Sequence, residues 1–148
     1  MPLQHLAVEA VEAPTVQRIT ALVGHLVSEG AVADLLYRRF GRIVGDGVIA
    51  SQAGVEIGFC GWQEDEGLAF VGPIVVRADK QGWGVGSAML DRTVEILRAA
   101  GARTVESAYL SDDPVCPRLF GRFRFREVGT EKRHDRRWCR VERTLKKS

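Results

Sequence analysis

The chain has 148 residues, 45% hydrophobic and 27% charged, with a formal net charge of +2. Those numbers fit one ordinary globular domain, 1–148, that buries roughly two thirds of the surface its unfolded chain exposes. No apolar run is long enough to span a bilayer, residues 1–14 lack the basic run of a secretory signal, and three well-separated cysteines argue against a disulfide scaffold, so a cytoplasmic protein is expected.

His5–Val11 alternates loosely and reads as a first strand. Pro14 suits a first helical turn, and Val16, Ile19, Leu22, Val23, Leu26 and Val27 recur at helical spacing over 14–28, with Gly30 as the stop. Leu35, Leu36, Phe40, Ile43 and Val44 predict a second helix over 33–44, closed by Gly45 and Gly47. The period then shortens. Val48–Ser51 and Val55–Trp62 read as strands around the turn Gln52-Ala53-Gly54, and the acidic stretch Gln63–Gly67 reads as a further turn. Leu68–Val76 is a longer apolar strand whose Gly72-Pro73 implies a bulge.

Residues 84–100 carry the strongest helical pattern. Val85, Met89, Thr93, Ile96 and Ala100 form a stripe with Leu90, Val94 and Leu97 beside it, and Gly101 supplies the stop. Thr104–Leu110 reads as a strand parallel to 68–76, because a strand–helix–strand order implies a right-handed crossover. The two strands are expected to part after the Gly72-Pro73 bulge. Asp113–Phe123 is predicted as a short helix with Pro114 in its first turn, and Phe125–Thr130 and Trp138–Leu145 as a closing hairpin. The expected fold is α/β, a mixed central sheet with helices on both faces in the order β-α-α-β-β-β-α-β-α-β-β.

The stretch that points to chemistry is Gln81-Gly82-Trp83-Gly84-Val85-Gly86-Ser87. Its glycines let consecutive N–H groups converge, and the following helix adds unpaired donors and the positive end of its dipole. Together these suit a phosphate or pyrophosphate. The loop has neither the GxxxxGK[ST] of a nucleotide-hydrolysing loop nor the GxGxxG of a dinucleotide fold.

Gln81-Gly82-Trp83-Gly84-Val85-Gly86 fits (Arg/Gln)-x-x-Gly-x-(Gly/Ala), and Phe125-Arg126-Glu127-Val128-Gly129 follows a long helix, a strand and a short helix. In both features the chain resembles the GNAT superfamily, the acetyl-CoA-dependent N-acetyltransferases. The resemblance runs from about Val48 to Val128, with Arg124 where that family's GFREVG ending usually has Gly. It implies an N-acetyltransferase that passes the acetyl group of acetyl-CoA directly to an amine of a small molecule, peptide or protein, through a tetrahedral intermediate. Ile74, Val75 and Val76 would flank the pantetheine arm, the backbone of Ile74 and Val76 pairing with it like an added strand. The N–H groups of Gln81, Gly82, Trp83, Gly84, Val85, Gly86 and Ser87 would hold the pyrophosphate. Asp113 and Phe120 would line the arm, and the two N-terminal helices would line the acceptor site.

The family often has Asn near the start of its short helix and, seven residues on, a Tyr that protonates the leaving thiolate. Here those positions are Asp113 and Phe120. Asp113 can still accept a hydrogen bond from the arm, but Phe120 cannot give a proton. Tyr109 and Cys116 are the candidate replacements, with an unassisted thiolate as the alternative. No general base is legible: Glu106 and Tyr109 cannot share a face of a regular strand, and His5, His25 and His134 are not placed to serve. No metal is called for, and a homodimer is left open.

Two rival readings exist. One is a CoA-binding module without efficient catalysis, suggested by Phe120. The other is a nucleic-acid-binding protein. Residues 1–117 hold 9 Lys/Arg against 15 Asp/Glu, whereas 118–148 hold 12 against 4. That basic segment has few interleaved aromatics, so a solvated hairpin face is the better account of it than nucleic acid.

Overall fold

The computed structural model describes residues 5–12, 17, 18, 21, 46–133 and 135–145. The helices predicted over 14–28 and 33–44 lie outside these, except that Gln17, Arg18 and Ala21 are helical. The described strands are β1 (Leu6–Val11), β2 (Asp46–Gln52), β3 (Val55–Asp65), β4 (Leu68–Val76), β5 (Thr104–Leu110), β6 (Arg126–Arg133) and β7 (Arg136–Thr144). Helix α1 spans Val85–Ala99 and α2 spans Cys116–Arg122. The strands form one mixed sheet in the order β1-β2-β3-β4-β5-β7-β6, with β4–β5 parallel and the other pairs antiparallel.

Chain chemistry sets the turns. Ala53 and Gly54 both have positive φ (51° and 81°), as do Glu66 and Gly67 (48° and 84°), so each pair makes a two-residue hairpin loop whose twist matches its strands. The second loop is shorter than the predicted turn Gln63–Gly67. Gln63, Glu64 and Asp65 pair with Phe70, Ala69 and Leu68, so β3 continues to Asp65. Charge at a hairpin tip concealed that strand end.

One face of the sheet carries the main core. Val48, Cys60, Trp62, Val71, Val105, Tyr109 and Val141 alternate onto it, and α1 lies across β1–β4 with Val85, Met89, Leu90, Thr93, Val94 and Leu97 buried. Each fully buried large side chain contributes about 1.5–3 kcal/mol relative to exposure. Gly58 makes room for α1, since a Cβ there would sit 3.0 Å from the Met89 Cε. Ala100, expected on the buried stripe, is exposed because α1 ends at Ala99. Helix α2 packs on the same face: Phe120 stacks on Tyr109 with ring centroids 5.9 Å apart, and meets Phe125 edge-on at 5.0 Å.

The predicted short helix over 113–123 is trimmed at both ends. Pro117, not Pro114, occupies its first turn. Asp113 stays outside, and its Oδ1 accepts hydrogen bonds from the N–H groups of Val115 (2.8 Å) and Cys116 (3.0 Å). That carboxylate satisfies donors a helix start leaves unpaired.

Candidate active site

The parallel pairing of β4 and β5 covers three rungs, Leu68–Thr104, Ala69–Val105 and Phe70–Glu106, and then stops. Just beyond, two β4 residues, Gly72 and Pro73, oppose the single Gly61 of β3 between the rungs Val71–Trp62 and Ile74–Cys60. This is the anticipated bulge, although the strands part slightly before it rather than after it. At the fork the Ser107 hydroxyl donates to the Val71 carbonyl over 2.7 Å.

Past the fork β4 is paired only with β3. The Arg77 N–H donates to the Ile57 carbonyl (2.8 Å), so by strand alternation Val75 and Arg77 turn their backbone groups toward β3. Ile74 and Val76 turn theirs toward the open edge. A gap bounded by an unpaired strand edge can accept an extended amide-containing chain as an extra strand. The Val76 carbonyl on that edge already accepts from Gln81 Nε2 (3.1 Å), which ties the glycine loop to the strand end.

The open edge leads to the start of α1. Gly82 has φ 83°, and Gly84, the N-cap, has φ 88° and ψ 9° with no side-chain cap. The first helical hydrogen bond runs from Ala88 N–H to Gly84 C=O (3.0 Å), so the N–H groups of Val85, Gly86 and Ser87 all precede it. Such a cradle fits a phosphate. Lys80 Nζ lies 5.0 Å from the Trp83 ring centroid, which holds the indole beside the loop. Arg77, by contrast, is engaged with Asp79 at 2.7 and 2.8 Å.

One cation at the loop escaped the sequence reading. Arg122, at the end of α2, donates to Ser87 Oγ over 3.0 Å and so stands at the mouth of the cradle. A separation of 35 residues left no local pattern to reveal it.

The two candidate proton donors are poor acids. Tyr109 is 8% exposed and sits directly across from Cys139 on β7, on the side of β5 away from β4. Burial, then Cys139, Glu127 and Cys116, push the hydroxyl up to about 12. Burial, then the Asp113 carboxylate it bonds to, push the Cys116 thiol up to about 12. Burial also pushes the Asp113 carboxyl up, but the amides of Cys116 and Val115 and the Cys116 thiol outweigh it and hold the group below its ordinary range. Phe120 is 2% exposed, its ring filling the space between Tyr109 and Phe125. Among the described residues, no group of three or more His, Cys, Asp or Glu side chains is gathered to hold a metal ion.

No family model matches the chain, and no curated protein matches it. Solved structures do. Ard1 from Thermoplasma volcanium superposes with a TM-score of 0.74 at 15% identity, covering 95% of this chain and 98% of that one. The ribosomal-protein-S18-alanine N-acetyltransferase from Escherichia coli gives 0.71 at 18% identity over 93% and 92% of the two chains. An acetyltransferase of the GNAT family from Streptococcus pneumoniae gives 0.72 at 15% identity over 95% and 99%. At such identities the likeness is one of fold: the chain has the fold of the GNAT acetyltransferases.

Proposed function

We propose that this chain is a single-domain N-acetyltransferase that transfers the acetyl group of acetyl-CoA to an amine. One observation carries the reading: an open β4 edge, beginning where β4 and β5 part, runs directly to a glycine-built helix start. A forked sheet edge suits a pantetheine arm, and the helix start suits its pyrophosphate. Solved structures sharing this fold carry acetyltransferase names, which supports the same chemistry here.

In this reading the N–H groups of Val85, Gly86 and Ser87 bind the phosphates, with Arg122 adding positive charge. Ile74 and Val76 hold the arm through backbone groups, Val76 sharing its carbonyl between Gln81 and the arm, since a carbonyl has two lone pairs. Asp113 serves the site by fixing the start of α2. Acetyl-CoA supplies the activated acyl group; the neutral acceptor amine adds through nitrogen to the acyl carbon, the tetrahedral intermediate collapses with cleavage of the carbon–sulfur bond, and the proton lost from nitrogen passes to solvent. The thiolate departs without a proton from Tyr109 or Cys116. Both are weak acids, and a thiolate is a tolerable leaving group.

The test is release of free CoA thiol from acetyl-CoA with a panel of primary amines, followed by mass spectrometry of the acetylated product. Turnover of any amine supports the reading. Tight acetyl-CoA binding with no turnover across the panel would instead favour a CoA-binding module.

A further inference from the structure

The acetyl-transfer reading leaves the acceptor unnamed, and the face of the sheet opposite α1 and α2 bears on it. On the helix face, Phe120 and Tyr109 close the region beyond the fork. On the opposite face, the rung after Phe70–Glu106 consists of Ala108 on β5, Arg140 on β7 and Gly129 on β6. Arg140 is therefore directly opposite a methyl group and a hydrogen, and the carboxylates of its face, Glu106 and Glu142, belong to the next rung. It is half-buried, and among the described residues it has no ion pair or hydrogen bond. The neighbouring rung differs: there Arg126 bonds Glu142 at 3.1 Å. A guanidinium partly withdrawn from water with no partner is unfavourable, and a planar five-donor fork suits a carboxylate better than an ammonium would.

Position completes the case. Ala108 lies two residues beyond the last β4–β5 rung, and Arg140 is one strand spacing, ~4.8 Å, further from the fork. A Cβ built on Gly129 would meet nothing within 4 Å, and Ala108 and Gly129 are both partly solvent-accessible. We propose that Arg140 recognises a carboxylate on the acceptor, so that the acceptor is a small amine that also carries a carboxylate, of the amino-acid type. This rests on the acetyl-transfer reading above. The amine lies at the fork and the carboxylate a few bonds away, on Arg140.

The experiment uses pairs of amines differing by the carboxylate alone: phenylalanine and phenethylamine, tyrosine and tyramine, tryptophan and tryptamine. Thiol release from acetyl-CoA gives kcat and KM for each, and calorimetry gives the acetyl-CoA affinity separately. The wild type should prefer the carboxylate-bearing member of at least one pair by tenfold or more in kcat/KM. Arg140→Gln should reduce that preference to about twofold or less, chiefly through KM, with acetyl-CoA affinity unchanged. Arg140→Lys, which keeps the charge without the fork, should fall between. The inference is overturned if the wild type prefers the decarboxylated members, if Arg140→Gln keeps the preference, or if a protein that binds acetyl-CoA acetylates none of the carboxylate-bearing amines. Failure to bind acetyl-CoA at all would remove the underlying reading instead, and this proposal with it.

Discussion

Ser107 donates its hydroxyl proton to the Val71 carbonyl over 2.7 Å at the point where β4 and β5 separate. Ser107 is 4% exposed and Val71 0%, so this carbonyl has little access to water. The bond ties the strands together where their backbone ladder has ended. Ser107→Ala leaves that acceptor unsatisfied and should lower unfolding free energy by about 1–3 kcal/mol. Urea denaturation measures it; a loss below a few tenths of a kcal/mol would mean that the fork does not rely on this bond.

Arg124 has φ 65°, a left-handed conformation that costs a side chain about 1–2 kcal/mol and glycine little. It follows α2, with its N–H on the Gly121 carbonyl (3.1 Å) and the next N–H, of Phe125, on that of Phe120 (3.0 Å), a helix stop that favours glycine. Arg124→Gly should therefore stabilise the protein by about 1 kcal/mol, after allowing for the entropy glycine adds to the unfolded chain. A lower thermal midpoint for this variant would contradict the assignment.

The same two cases show how much could be read from sequence. Apolar runs bounded by turn residues gave β4 and β5 their observed limits, and Gly72-Pro73 marked the bulge. Arg124 stood out against the family pattern because the backbone there prefers glycine. What stayed hidden depends on partners distant in the chain. The second role of Asp113 is the local exception: its Oδ1 accepts from the N–H groups of Val115 and Cys116 at the start of α2. Arg122 at Ser87 and Arg140 between Ala108 and Gly129 are products of tertiary placement and strand register, which no local spacing encodes.

Tyr109 and Cys116 should be dispensable for chemistry. Each is pushed up to about 12, against roughly 8.5 for an ordinary thiol, so proton transfer to a leaving thiolate would be uphill by about 5 kcal/mol. Tyr109→Phe and Cys116→Ala should each keep kcat within about threefold. General acid catalysis is typically worth 10² to 10⁴ in rate, so a hundredfold fall in either variant would identify a proton donor.

Alkaline pH should destabilise the fold. Burial lifts the Cys60 thiol to about 12, only partly offset by the Thr93 hydroxyl, which donates to its sulfur over 3.4 Å. Unfolded thiols ionise near ~8.5. Between that value and 12 the unfolded chain has lost a proton the native chain retains, so stability is full below ~8.5 and declines as pH rises. Under reducing conditions Cys60 alone should remove about 2 kcal/mol between pH 8 and pH 10. Cys60→Ala should be less stable at pH 8, yet lose correspondingly less over the same interval. Parallel losses in both proteins would rule out Cys60 as a source of the alkaline sensitivity.

The claim that loop 81–87 holds the pyrophosphate of CoA is tested most directly by calorimetric titration of acetyl-CoA into the wild type, Gly84→Ala and Gly84→Glu. Gly84 has φ 88°, so both variants carry similar backbone strain, and circular dichroism would establish that each is folded. Glutamate alone adds negative charge where phosphate would bind. The wild type should bind acetyl-CoA, and Gly84→Glu should bind at least about tenfold more weakly than Gly84→Ala, or roughly 1.4 kcal/mol. Equal affinities in the two folded variants, or no binding by the wild type, would contradict the assignment.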